Sequence, residues 1–167
     1  SCLVGSEMCI RDRLNIDENS ILIIRGCGPV GYPGSAEVVN MQPPDRLLKK
    51  GINALPTLGD GRQSGTSESP SILHVSPESA VGGDLAIVKT GDKMTIDLNK
   101  RRVDLQITKL EFIKRRKKKR IKKLTNQTPW QEISRSNVGQ LEDGACIMSR
   151  DQYLDITKTK GVLRNSH

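Results

Sequence analysis

Residues 91–107 read GDKMTIDLNKRRVDLQI, and their periodicity decides what kind of domain this is. Met94, Ile96 and Leu98 alternate with polar residues, and so do Val103, Leu105 and Ile107 beyond a polar turn at residues 99–102. A period of two on both sides of a turn predicts a β-hairpin with one buried face. Gly91-Asp92 turns the chain into it, and residues 85–89 just before read as a further strand. Working towards the N-terminus, residues 53–58 read as a strand, and residues 44–50 as a short helix stopped by Gly51. Residues 26–34 form a Gly/Pro-rich loop, and the apolar run ILII at 21–24 is a buried strand. On the other side, Thr108-Lys109-Leu110-Glu111 and Thr128-Pro129-Trp130-Gln131 both have capping-box spacing. The first predicts a helix running into residues 114–123. The second has proline at the first helical position and opens a C-terminal helical arm.

Composition bounds what such a domain is made of. Apolar residues are 35% of the chain, below the usual globular share, with one Trp, two Tyr and one Phe. The core must therefore be Ile, Leu and Val, which suits β-rich packing. The 167 residues suffice for one domain and an appendage. The net charge of +8 is local: residues 114–123 (KRRKKKRIKK) hold nine basic side chains, and without them 18 Lys and Arg face 19 Asp and Glu. That run has no aromatic residue for base stacking. It reads first as a solvated helix or linker, with a basic nucleic-acid-binding module as the alternative. No stretch approaches the ~20 apolar residues that span a bilayer. Cys2, Cys9, Cys27 and Cys146 form no CxxC pair and no disulfide framework, so a cytoplasmic location is the default. Residues 1–13, SCLVGSEMCIRDR, differ in character from all that follows and read as non-native. This sets Cys2 and Cys9 aside, and Cys27 and Cys146 read as structural.

The most informative loop is Asp60-Gly61-Arg62-Gln63-Ser64-Gly65-Thr66-Ser67. Its glycines let a ligand approach the backbone and leave Ser64 open. Taken alone it fits a plain surface turn or a phosphate nest. It is no Walker A loop, lacking the Gly-Lys-Ser/Thr end, and no nucleophile elbow. His74, between Leu73 and Val75, reads as a packed histidine. Glu78, after Pro77, reads as a first-turn helix carboxylate.

Taken together, an ordered set of motifs resembles the C-terminal domain of the dihydroxy-acid/6-phosphogluconate dehydratase family. They are Gly31-Tyr32-Pro33-Gly34-Ser35-Ala36-Glu37, Gly61-Arg62-Gln63-Ser64-Gly65-Thr66, Ser69-Pro70-Ser71-Ile72, His74-Val75-Ser76-Pro77-Glu78 and Gly82-Gly83. Gln63 and the stretch Thr66-Ser67-Glu68-Ser69-Pro70-Ser71 look most like the aldonic-acid branch, the arabinonate and xylonate dehydratases. In the arm, Thr128-Pro129-Trp130-Gln131-Glu132-Ile133, Val138-Gly139-Gln140-Leu141 and the closing Asn165-Ser166-His167 add to the likeness.

The resemblance implies a hydro-lyase that dehydrates a sugar (aldonic) acid to a 2-keto-3-deoxy acid. The dihydroxy-acid dehydratase of branched-chain amino-acid biosynthesis is the alternative. It implies Ser64 as the base at C2, Thr66 as its support and Glu37 as a Mg²⁺ ligand. Arg62 is a candidate for the substrate carboxylate, the other reading being a structural arginine that serves loop carbonyls. The resemblance implies His167 as a substrate contact delivered by the terminal arm, the other reading being a frayed terminus. A 2Fe-2S iron-sulfur cluster is implied for the full-length protein, with ligands in an N-terminal domain that this chain lacks, so the fragment alone is expected to be inactive. A homo-oligomer is implied as well. The expected architecture is a β-rich α/β domain over residues 14–124, a swivelling-type β-barrel-like sheet with flanking helices, followed by the arm at 125–167.

Overall fold

The computed structural model describes residues 15–36, 43–62, 68–118, 127–147 and 150–160, with side chains omitted at 150, 159 and 160. It is a mixed α/β fold. Strands β1 (Leu22–Ile24), β2 (Thr57–Gly59) and β3 (Ser71–Ile72) make a parallel sheet in that order, with Ile23 beside Leu58 and Leu58 beside Ile72. Strands β4 (Met94–Asp97) and β5 (Arg102–Leu105) pair antiparallel, Met94 opposite Leu105 and Ile96 opposite Val103. This is the hairpin that the alternation predicts. Its buried face is confined to its base, since Leu98 near the turn is 77% exposed.

One apolar cluster joins the two sheets. Leu58, Leu85 and Val88 are buried at its centre, and Ile21, Ile23, Ile72, Val75, Met94 and Leu105 pack around them. Strand, turn and hairpin thus share one dry interior, built from Ile, Leu, Val and a Met as the composition requires. Among the described residues the strands close no barrel.

Helix α1 (Asp45–Leu48) buries Leu47 and stops at Gly51, whose φ of +79° no β-carbon-bearing residue adopts easily. Helix α2 (Lys109–Lys118) starts after Thr108, whose Oγ1 accepts the Glu111 N–H at 3.2 Å. Only this half of the capping box forms, because the Glu111 carboxylate turns to Arg115 instead. Helix α3 (Pro129–Asn137) carries a complete box between Thr128 and Gln131. Helix α4 (Arg150–Lys160) follows a short 3-10 turn at Leu141–Asp143.

Two expected strands change. Residues 85–89 are not a strand: Asp84–Ile87 is a 3-10 turn. A short apolar run cannot tell a strand from a buried turn by periodicity, and here the Arg25 guanidinium takes the carbonyls of Leu85, Ala86 and Val88 that a neighbouring strand would have paired. The strand expected at 53–58 starts only at Thr57, just after Pro56, which has no N–H to give a ladder.

Candidate active site

In an open parallel sheet, ligands collect beyond the carboxyl ends of the strands. The chain leaves the carboxyl end of β1 into residues 25–36 and that of β2 into residues 60–70. These two segments lead to Glu37 and Ser64, and they start side by side because β1 and β2 are neighbours.

Two buried carboxylates tie the segments together. Asp60 is fully buried, and its Oδ atoms accept N–H groups from Gly26 at 3.0 Å and Cys27 at 3.1 Å. It also accepts the N–H and hydroxyl of Ser79, at 2.8 and 2.6 Å. Glu78 is fully buried too, and accepts the N–H of Val30 at 2.9 Å and of Gly31 at 2.8 Å. The Gln140 amide donates to the same carboxylate at 2.9 Å and accepts the Glu78 N–H at 3.2 Å. A buried carboxylate is tolerable only when donors surround it, and both have them. Gly28 is where the chain closes over Glu78: a β-carbon there would collide with its carboxylate.

The arm reaches the same loop. Gln131 donates to the Pro33 carbonyl and Arg135 to the Val30 carbonyl, each at 2.9 Å. Cys27 lies half-buried in this region as a free thiol. Burial pushes its pKa up, with the Asp60 carboxylate adding to the rise and the Ser35 hydroxyl opposing it. A thiol raised this way stays protonated at neutral pH, as a structural cysteine does. Cys146 is exposed.

Of the residues singled out from sequence, Arg62 lies exposed at the mouth of the β2 loop. Ser64, Thr66, Glu37 and His167 lie outside the described residues, as do residues 119–123 of the basic run. His74 is not packed: it is exposed, with φ of +53°, and its N–H donates to the Gly61 carbonyl at 3.3 Å. Closing the turn behind β3 takes precedence over burying the ring. Glu78 is not a helix-dipole carboxylate either, since its side chain is spent on the β1 loop and Gln140. Sequence reasoning quoted Asp60 and Gln140 within motifs but gave neither a role; an acid directly before a glycine-rich loop was the available signal for Asp60.

Among the described residues no three His, Cys, Asp or Glu side chains come together as a metal site. Asp60 and Glu78 have their acceptor positions filled by protein donors. What the described residues supply is a hydrogen-bonded mount for the starts of the segments that carry Glu37 and Ser64.

A second polar centre lies between residues 86–89 and α2. A cleft of about 450 Å³ is lined by Arg25, Lys89, Glu111, Lys114, Arg115 and Lys118, among others. Arg115 bonds both oxygens of Asp92, at 2.5 and 3.0 Å, and Glu111 at 2.8 Å. The Arg115 hydrogen bond holds the Asp92 and Glu111 carboxyls below their ordinary range, and the two carboxylates in return raise the guanidinium. Part of the basic run is thus structural.

Comparison with known proteins places these motifs. The profile of the dihydroxy-acid/6-phosphogluconate dehydratase C-terminal domain matches residues 5–145. D-xylonate dehydratase of Caulobacter vibrioides is 54% identical over 143 residues, covering 86% of this chain and 24% of the relative. L-arabinonate dehydratase of Rhizobium leguminosarum bv. trifolii is 50% identical over 104 residues, 62% of this chain and 18% of the relative. Dihydroxy-acid dehydratase of Archaeoglobus fulgidus is 38% identical over 103 residues, 62% of this chain and 18% of the relative. The chain spans no more than a quarter of the length of these relatives. With the profile matching most of its residues, the chain belongs to the dihydroxy-acid/6-phosphogluconate dehydratase family.

Proposed function

We propose that this chain is the C-terminal part of a hydro-lyase that dehydrates a C5 or C6 aldonic acid to a 2-keto-3-deoxy acid. The observation that carries the reading is the junction at Asp60, which bonds the start of the β1 loop from the end of β2. The segments leading to Glu37 and Ser64 leave from that one point. The higher identity to the xylonate and arabinonate dehydratases than to the dihydroxy-acid dehydratase favours a sugar acid over a branched-chain precursor.

In this reading Ser64 takes the proton from C2 while the C3 hydroxyl departs as water, and the resulting enol becomes the keto acid. Thr66 orients Ser64 or bonds the substrate, Arg62 holds the carboxylate as a paired donor, and His167 closes on the substrate from the arm. Mg²⁺ held through Glu37 would supply the positive charge that favours a serine alkoxide, and an iron-sulfur cluster of the N-terminal part the Lewis acid for the leaving hydroxyl. Nothing about Asp60 or Glu78 enters the chemistry directly, as both face inward on backbone donors. The remaining parts of the proposal are a barrel-like domain over 14–124, an arm at 125–167, a non-native stretch at 1–13, a homo-oligomer and a cytoplasmic location. Among the described residues no helix is long and apolar enough to cross a membrane.

The test is dehydration of a panel of aldonic acids by the full-length protein and its Ser64→Ala variant. Loss of about 10²–10⁴-fold in kcat/KM is expected for removal of a general base. Near-normal turnover by Ser64→Ala overturns the base assignment. Preference for branched-chain dihydroxy acids over every aldonate overturns the substrate class.

A further inference from the structure

The cleft beside α2 holds a surplus of positive charge that the domain's own ion pairs leave over. Of the nine residues that line it, five are basic and one, Glu111, is acidic. Arg115 takes Glu111 at 2.8 Å and both oxygens of Asp92. Lys89 reaches Glu111 only at 3.9 Å, with its side chain 64% exposed. Arg25, Lys114 and Lys118 make no ion pair among the described residues.

The backbone of the cleft does not offset this charge. Bare carbonyl oxygens would repel an anion, yet all four from Leu85 to Val88 accept from a guanidinium. Arg25 takes those of Leu85, Ala86 and Val88, at 3.0, 3.2 and 2.7 Å, and Arg115 takes that of Ile87 at 3.3 Å. Two planar cations are thereby fixed along this wall. On the other wall Lys114 and Lys118 stand one turn apart on the face of α2 that also carries Glu111 and Arg115. Like charges at that spacing disfavour a helix, and an anion between them turns the repulsion into attraction. The volume of about 450 Å³ is that of a small-ligand site. No aromatic residue lines it, so a nucleobase has nothing to stack on. Lysine ammonium groups are point charges that suit phosphate oxygens.

We propose that this cleft binds a small multivalent phosphate anion, held by Lys114 and Lys118 from α2 and by Lys89 and Arg25 from the facing wall. Arg115, committed to Asp92 and Glu111, shapes the cleft and holds its walls together. The three lysines are exposed and can turn to the ligand. The proposal goes beyond the dehydratase reading and does not rest on it.

The experiment is isothermal titration calorimetry on the full-length protein at fixed ionic strength, with Mg²⁺ in excess so that chelation is constant. Pyrophosphate is the probe, with orthophosphate and citrate beside it. Pyrophosphate is expected to bind at one site per chain and more tightly than either of the others. The double variant Lys114→Gln/Lys118→Gln should weaken it about ten-fold or more, through loss of two charged contacts. Lys89→Gln tests the facing wall and should weaken it in the same direction. Arg116→Gln/Lys117→Gln removes the same charge from the same helix but outside the cleft lining, and should leave the affinity within about two-fold. Equal losses in the two double variants assign the anion to the general charge of the helix and overturn the cleft. So does a wild-type protein that takes up no pyrophosphate at millimolar concentration. Citrate or orthophosphate bound as tightly as pyrophosphate overturns the multivalent phosphate class. An oligonucleotide held through Lys114 and Lys118 that pyrophosphate cannot displace makes the occupant a nucleic acid, and the proposal falls.

Discussion

The two polar centres of this domain use carboxylates in opposite ways. At the carboxyl end of the parallel sheet, Asp60 and Glu78 are fully buried and face backbone N–H groups, a serine and an amide. Beside the hairpin, Asp92 and Glu111 face a guanidinium; the Arg115 and Asp92 side chains are largely buried, 12% and 10% exposed, and Glu111 is 34% exposed. Donors fixed in the backbone define where a loop lies. An ion pair between side chains holds two elements together and tolerates adjustment. The first centre is a mount and the second a fastener, and substitutions should tell them apart.

The largest effect is expected from Asp60→Ala. It leaves three N–H groups and the Ser79 hydroxyl without their acceptor in a dry interior, at a cost of about 3 kcal/mol. The urea midpoint of the domain measures it, and a loss below that of Asp92→Asn would erase the distinction between mount and fastener. Asp92→Asn comes next. Asp92 has its folded pKa lowered, first by the Arg115 hydrogen bond, so its contribution is complete above the unfolded value of about 3.9 and fades as the pH falls through that value towards the lower folded one. Asp92→Asn should therefore be less stable than wild type at neutral pH, and the gap should close below about pH 4. Acid unfolding followed by circular dichroism checks the sign; a gap that widens on acidification contradicts it. Thr128→Ala removes the hydroxyl that accepts the Gln131 N–H in the α3 capping box, leaving only the backbone half, and should cost about 1 kcal/mol, read as a lower unfolding midpoint with the sheet region unaffected in hydrogen exchange. The smallest change is expected from Arg116→Ala. Its pairing with Asp84 at 3.3 Å joins side chains that are each 57% exposed, and its loss should stay within about 0.5 kcal/mol and vanish in high salt.

The hairpin, β1, α1 and α3 were legible because their signals are local: alternation, an apolar run, a stop glycine and a capping box complete within four residues. The turn at Asp84–Ile87 was not, because Arg25, about 60 residues away, decides where its carbonyls go. Strand β3 has only two residues, too few for any period to show. At the site the motif Gly61-Arg62-Gln63-Ser64-Gly65-Thr66 was visible as a sequence, while the groups that brace the neighbouring β1 loop were not. Asp60 and Glu78 are charged, and charge along a chain reads as surface; only the arriving donors reveal that these two are interior. Gln140 was noticed for its neighbours, with no hint of its partner 62 residues earlier.

The range of the contacts between α3 and the β1 loop has a consequence for how the protein is made. Gln131 reaches back 98 residues to Pro33 and Arg135 reaches back 105 to Val30. Contacts of such range form late, after the loop-closure entropy has been met by the rest of the domain. During synthesis the β1 loop must wait, with its carbonyls and the Glu78 carboxylate incompletely satisfied, until nearly all of the domain has left the ribosome. Setting of the β1 loop is thereby deferred until the stretch from Gln131 to Gln140 has been made, and a nascent chain halted before Gln140 would hold a folded sheet with that loop unset.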